Sequence, residues 1–131
     1  MKVRNMSEKQ HNLNVYNEAR RLYLTIKKST QKVPRDERYN FIMPVLDKIE
    51  DIMTTILIAS KMKDKTETLN SAIQTVLKIQ IKMKNLYELH MLTKKGFATI
   101  TYHSESLFRQ LTGWKNKNND GEGAGRTPES E

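Results

Sequence analysis

The chain has 131 residues, 37% of them apolar, and its 23 lysines and arginines against 15 aspartates and glutamates leave a formal net charge of +8. That size fits one compact domain. The absence of cysteine excludes a disulfide scaffold, a cysteine-ligated zinc site and a cysteine nucleophile, and it fits a reducing compartment.

Before residue 118 the only glycines and prolines are Gly96, Gly113, Pro34 and Pro44, fewer turn residues than a sheet protein of this size needs. Apolar residues recur instead with helical period. A first helix over about 7–31 places Val15, Tyr16, Ala19, Leu22, Tyr23 and Ile26 on one face. Val33-Pro34-Arg35-Asp36 interrupts it, because proline disfavours helix for the residue before it. A second, over 40–62, aligns Ile42, Val45, Leu46, Ile49, Ile52, Met53 and Ile56. With Asn40 as N-cap, Pro44 falls in the first turn, where no amide needs an intrahelical partner, and 34–39 becomes an irregular connection. Lys63-Asp64-Lys65 leads into a third helix, 65–94, with Asp64 or Thr66 as cap and Leu69, Ala72, Ile73, Val76, Ile79, Met83 and Tyr87 on its core face. Lys94-Lys95-Gly96 suits its C-terminus, cations near the last carbonyls and glycine at the turn. The fourth helix, 97–115, carries Phe97, Ile100, Leu107, Phe108 and Leu111, with Trp114 as a packing residue. Four such stripes bury one another in an all-α, antiparallel up-and-down four-helix bundle over 1–117. Residues 118–131, rich in Asn, Gly and Glu, read as a disordered tail.

Catalytic and metal-binding chemistry is not expected. His11, His90 and His103 lie far apart, with no carboxylate or second histidine at ligand spacing. His90 falls at the edge of the core stripe and His103 beside its own, both in structural roles. His103 and Ser104 are no catalytic pair, since adjacent helical residues point about 100° apart. Gly121-Glu122-Gly123-Ala124-Gly125 follows no strand and opens no helix, so it is no phosphate loop. Asp47, Glu50 and Asp51 form a solvated face. The expectation is a protein that is not an enzyme and needs no cofactor. The longest apolar run, Ile56-Leu57-Ile58-Ala59, is far short of the ~20 residues of a membrane span, and Met1–Asn5 lacks the apolar stretch of a secretory signal. These features point to a soluble, cytoplasmic location.

The surfaces say more. The tail is net acidic, Asp120, Glu122, Glu129 and Glu131 against Arg126, so the bundle is more basic than the whole chain and attracts polyanions. Basic residues cluster at Arg20-Arg21, Lys27-Lys28, Lys32 with Arg35 and Arg38, Lys61/Lys63/Lys65, Lys94-Lys95 and Lys115/Lys117. In an alternating bundle the 27–38 and 94–95 groups share one end. On charge and outward angle, Lys27, Lys28, Arg35, Arg38, Lys78 and Lys82 are the candidate contacts to RNA, DNA or a protein partner, gripping phosphates without reading sequence. Tyr39 and Tyr102 offer stacking surfaces or, more simply, cover core edges. On the third helix Leu77, Ile81 and Leu92 make a second apolar line, and a helix apolar on two sides is buried on two sides. They are the candidate oligomer interface.

Arg21-Leu22-Tyr23-Leu24, the Lys32-Val33-Pro34-Arg35-Asp36-Glu37-Arg38-Tyr39 connection and Leu111-Thr112-Gly113-Trp114 resemble the Avd-like proteins (accessory variability determinants) of diversity-generating retroelements, over roughly residues 13–117. Their wider group includes four-helix proteins encoded in ribosomal-RNA intervening sequences. The resemblance implies a non-enzymatic accessory subunit. It would assemble as a basic pentameric barrel and bind a reverse transcriptase and its template RNA, supporting error-prone cDNA synthesis and mutagenic retrohoming. Two alternatives keep the fold: a protein of the intervening-sequence type, and a basic oligomeric adaptor for an acidic protein. The acidic tail maps onto no part of the family pattern.

Overall fold

The computed structural model describes the backbone of residues 2–125 and the side chains of 9–119. Among them there are four long helices and no strand. Helix α1 is Lys2–Ser29; α2 is continuous from Arg35 through Met43–Ala59; α3 is Thr66–Glu88; α4 is Lys94–Gly125. Each packs on its neighbours in sequence and α4 returns to α1, while the diagonal pairs scarcely touch. This is the up-and-down bundle that the periodicity predicts.

The core lies where the four stripes meet. Val15, Ala19, Leu22 and Ile26 of α1, Ile49, Ile52 and Ile56 of α2, Leu69, Val76, Ile79 and Met83 of α3, and Ile100, Leu107 and Leu111 of α4 are almost completely buried. Tyr16, Tyr23, Met53, Tyr87, Phe97 and Phe108 are half-buried against that core. Trp114 is buried as expected, its indole edge-on to His11 at 5.9 Å.

Helix α1 begins earlier than expected, at Lys2 and not at about 7, and the ends of the other helices differ from the expectation in three places, each for a local reason. Asn40 caps nothing. Helix α2 already starts at Arg35, with extended Pro34 before it and the Arg38 amide donating to the Pro34 carbonyl at 2.8 Å. Residues 35–39 are therefore helical, not an irregular connection. Pro44, which lacks an N–H and whose ring clashes with the carbonyl four residues back, is accommodated by a π turn over Arg38–Ile42, where the Met43 amide reaches the Arg38 carbonyl. Such one-residue bulges are how a helix passes an obstruction without ending.

Helix α3 stops at Glu88, six residues before the expected 94. Its terminator is His90, at φ 64° the one non-glycine residue in the left-handed region among those described. The Met91 amide bonds the Leu86 carbonyl at 2.9 Å and the His90 amide bonds that of Tyr87 at 3.0 Å, the double closure of a Schellman motif. His90 is thus an exposed turn residue, not one at the core edge. Lys94-Lys95-Gly96 consequently opens α4 instead of closing α3. Thr93 caps it, its hydroxyl accepting from the Gly96 amide at 2.9 Å. A Cβ on Gly96 would lie 3.1 Å from that hydroxyl and 3.3 Å from the Ser29 side chain, so the glycine lets α1 and α4 approach.

At the opposite end the N-cap of α3 is Lys65, not Asp64 or Thr66, and it makes no side-chain capping bond; Asp64, just before it, accepts from the Thr66 amide at 3.2 Å. Asn118 accepts from the Lys65 amide at 3.1 Å and donates to the Lys63 carbonyl at 3.3 Å, and the Thr66 hydroxyl bonds Asn119 at 2.6 Å. These bonds tie α4 to the α2–α3 connection beyond the expected end at 115, and the helix continues to Gly125. The rest of the expected tail, 126–131, lies outside the described residues. No helix among those described is long and apolar enough to cross a membrane.

Candidate nucleic-acid interface

Because the helices alternate, the C-termini of α1 and α3 and the N-termini of α2 and α4 share one end. The two basic groups expected there share that end: a hollow lined by Lys28, Lys32, Val33 and Glu37 on one side has Leu89–Thr93 on the other, and Lys94 and Lys95 follow next in the chain without lining it. Lys27 and Lys28 stand in the last turn of α1, where cations suit the helix dipole. Arg35, Lys94 and Lys95 stand in first turns, where a cation opposes the dipole at roughly 0.3–1 kcal/mol each. A docked anion would relieve that opposition, part of which Asp36 and Glu37 in the first turn of α2 already offset.

Part of this surface is concave. Lys27 in the last turn of α1, with Thr30 and Gln31 in the turn that follows it, faces Arg35, Arg38, Tyr39, Ile42, Met43 and Leu46 along one side of α2, and together they line a cleft of about 480 Å³. Ile42 and Leu46 are its buried floor and Tyr39, 74% exposed, stands at its rim. Arg38 is held in place by donating to the Gln31 carbonyl at 3.2 Å. Thr30 bonds the Ile26 carbonyl at 2.7 Å and so spends its hydroxyl on the helix. Neither Asp36 nor Glu37 lines this cleft, and among the described residues no carboxylate lies within ion-pair distance of Lys27, Arg35 or Arg38.

Of the six candidate contacts, Lys27, Arg35 and Arg38 thus converge. Lys28 faces the α3–α4 turn. Lys82 lines a smaller apolar groove on the other flank of α2, of about 280 Å³, with Asn40, Phe41, Pro44, Asn85, Leu86 and Leu89. Lys78 is exposed one turn back along α3 and joins neither. Tyr39 and Tyr102 cover no core edge, Tyr102 being 65% exposed.

The second apolar line on α3 is only partly real. Leu77 and Ile81 are exposed, but Leu92 is buried in the core. It belongs not to α3 but to the turn after it, which folds back over the bundle end. Exposed Phe41 and Leu89 were not anticipated as neighbours of Lys82.

One polar constellation escaped the sequence reading. Glu18 on α1 is buried and meets α4: His103 Nδ1 lies 2.6 Å from Oε2, and the Ser106 hydroxyl donates to Oε1 at 3.1 Å. Gln110 and Arg21 approach Oε1 at 3.5 and 3.4 Å. The serine proton goes to the carboxylate and not to the imidazole, so Glu18, His103 and Ser106 do not form a serine–histidine–acid relay. The cluster reads as a polar clasp between α1 and α4. Among the described residues no group of His, Asp and Glu could hold a metal ion.

No protein-family model matches this chain, and no curated protein shows significant similarity to it.

Proposed function

We propose that this protein is a non-enzymatic accessory subunit of a diversity-generating retroelement, a basic homo-oligomer that binds the element's reverse transcriptase and template RNA during mutagenic retrohoming. The carrying observation is the cleft. The Lys32–Tyr39 connection, one of the segments that resemble Avd-like proteins, supplies Arg35, Arg38 and Tyr39, and Lys27 joins them across the cleft. Unpaired cations on a bundle end suit a phosphate backbone. The exposed pair Leu77 and Ile81 on α3 and the apolar groove beside Lys82 supply surface for assembly. A pentamer comes from the resemblance alone.

The test is the solution mass by light scattering on a size-exclusion column, with a labelled RNA titrated at several salt concentrations. A mass about five times 15.3 kDa is expected. It should fall in the Leu77→Asp/Ile81→Asp variant while helicity is kept, and RNA affinity should decline steeply with salt. A monomeric wild type would sink the barrel, and a salt-independent affinity would favour an adaptor for an acidic protein.

A further inference from the structure

We propose that the α1–α2 cleft is a pocket for one unpaired nucleotide, holding its phosphate among Lys27, Arg35 and Arg38 and its base against Tyr39 and Met43. This deepens the RNA-binding reading and rests on it for the strand that would supply the nucleotide.

Shape and chemistry agree on such an occupant. A cleft of about 480 Å³ admits one base with its sugar and phosphate but not a paired, stacked duplex. Its wall divides into two kinds of surface. The rim carries the three cations: the fork-shaped guanidinium groups of Arg35 and Arg38 suit phosphate oxygens, and the Lys27 ammonium adds a point charge. The floor, Ile42 and Leu46, is apolar and buried. Inorganic phosphate would satisfy the rim and leave the floor unused, whereas an apolar molecule would do the reverse. A nucleotide uses both.

Position supports the same occupant. Tyr39 is 74% exposed, and an aromatic ring held at the rim of a basic cleft is a stacking platform for a base, whatever its identity. Bonding to the Gln31 carbonyl occupies one N–H of Arg38 and fixes its direction, leaving its other donors for a ligand. Gln31 also lines the cleft, and its side chain carries a donor and an acceptor that suit a base edge. Duplex RNA would meet only the cations, so the pocket favours single strands.

The experiment has two arms on the full chain. In the first, methyl NMR of the methionines follows Met43, assigned with Met43→Leu, during titration with adenosine monophosphate, adenosine and inorganic phosphate. In the second, anisotropy of a labelled 12-nucleotide RNA, single-stranded or duplex, is measured at fixed salt for wild type, Tyr39→Ala and Arg35→Gln. Both residues are exposed, so the variants should fold. The nucleotide should move the Met43 methyl more than phosphate or adenosine does. Tyr39→Ala should weaken single-strand binding about ten-fold or more and leave duplex binding nearly unchanged. If RNA binds but neither variant weakens it and Met43 does not respond, the pocket is overturned and the RNA reading stands. A phosphate response equal to the nucleotide's also overturns it. If adenosine monophosphate moves Met43 while RNA fails to bind, the pocket stands and the proposed function falls.

Discussion

Replacing His90 by glycine should stabilise the protein, although it removes a whole side chain. His90 holds φ 64° to close α3, and an L-residue in the left-handed region carries roughly 1–2 kcal/mol of steric strain. Glycine escapes that strain but loses about 0.5–1 kcal/mol more backbone freedom on folding. The imidazole is exposed, so no burial is lost, and the balance favours His90→Gly by about 0.5–1 kcal/mol. For a 131-residue chain that corresponds to a rise of about 2–4 °C in Tm. Thermal melts followed by circular dichroism at neutral pH would show it. His90→Ala is the control: it removes the same ring but keeps a Cβ in the left-handed region, so it should bring no gain. A His90→Gly protein melting at or below wild type would refute the reasoning, as would an equal gain from alanine.

Two further predictions concern the α1–α4 seam. Glu18→Ala leaves His103, Ser106 and Gln110 without their shared acceptor and should cost about 1–3 kcal/mol, read as a lower urea midpoint; Arg21, being 56% exposed, contributes little to that figure. A loss below about 0.5 kcal/mol would show that the clasp is not a stabilising contact. Burial first, and the charge of Lys117 second, hold His11 below its ordinary value of 6.5. The folded protein therefore binds fewer protons there than the unfolded chain as the pH falls through about 6.5, and stability drops on acidification. His11→Gln should lose less Tm than wild type between pH 7.5 and 5, and parallel losses in the two proteins would contradict the assignment.

The core was legible because it depends on a single period: every residue placed on the four stripes is buried or packed against the core. Glu18 had a signal too, lying between Val15 and Leu22 on the buried face, where a carboxylate must find partners. Those partners are 85 residues or more away in the chain, and spacing along one helix does not reveal them. The turns were harder to read. Glycine at 96 drew the end of α3 towards itself, although a histidine took the left-handed position; the hydrogen bonds of the turn decide this, not the identity of its residue. Misplacing that end also carried Leu92 onto the wrong helix and out of the core. Lys27, Arg35 and Arg38 were readable as charge beside a break in the chain. Their convergence was not, because it requires 35–39 to be helical, and Pro44 argued for a later start.

The π turn has a further consequence, for how α2 tolerates change. One extra residue amounts to about 100° of helical phase, so the turn works as a coupling between two sections of a single rod. Downstream, Val45, Leu46, Ile49, Ile52 and Ile56 are locked to the core. Upstream, Arg35 and Arg38 take the heading that the bulge gives them. A change in the bulge can therefore re-aim the cleft while the core keeps its register, leaving the end of the bundle open to diversify on a fixed chassis.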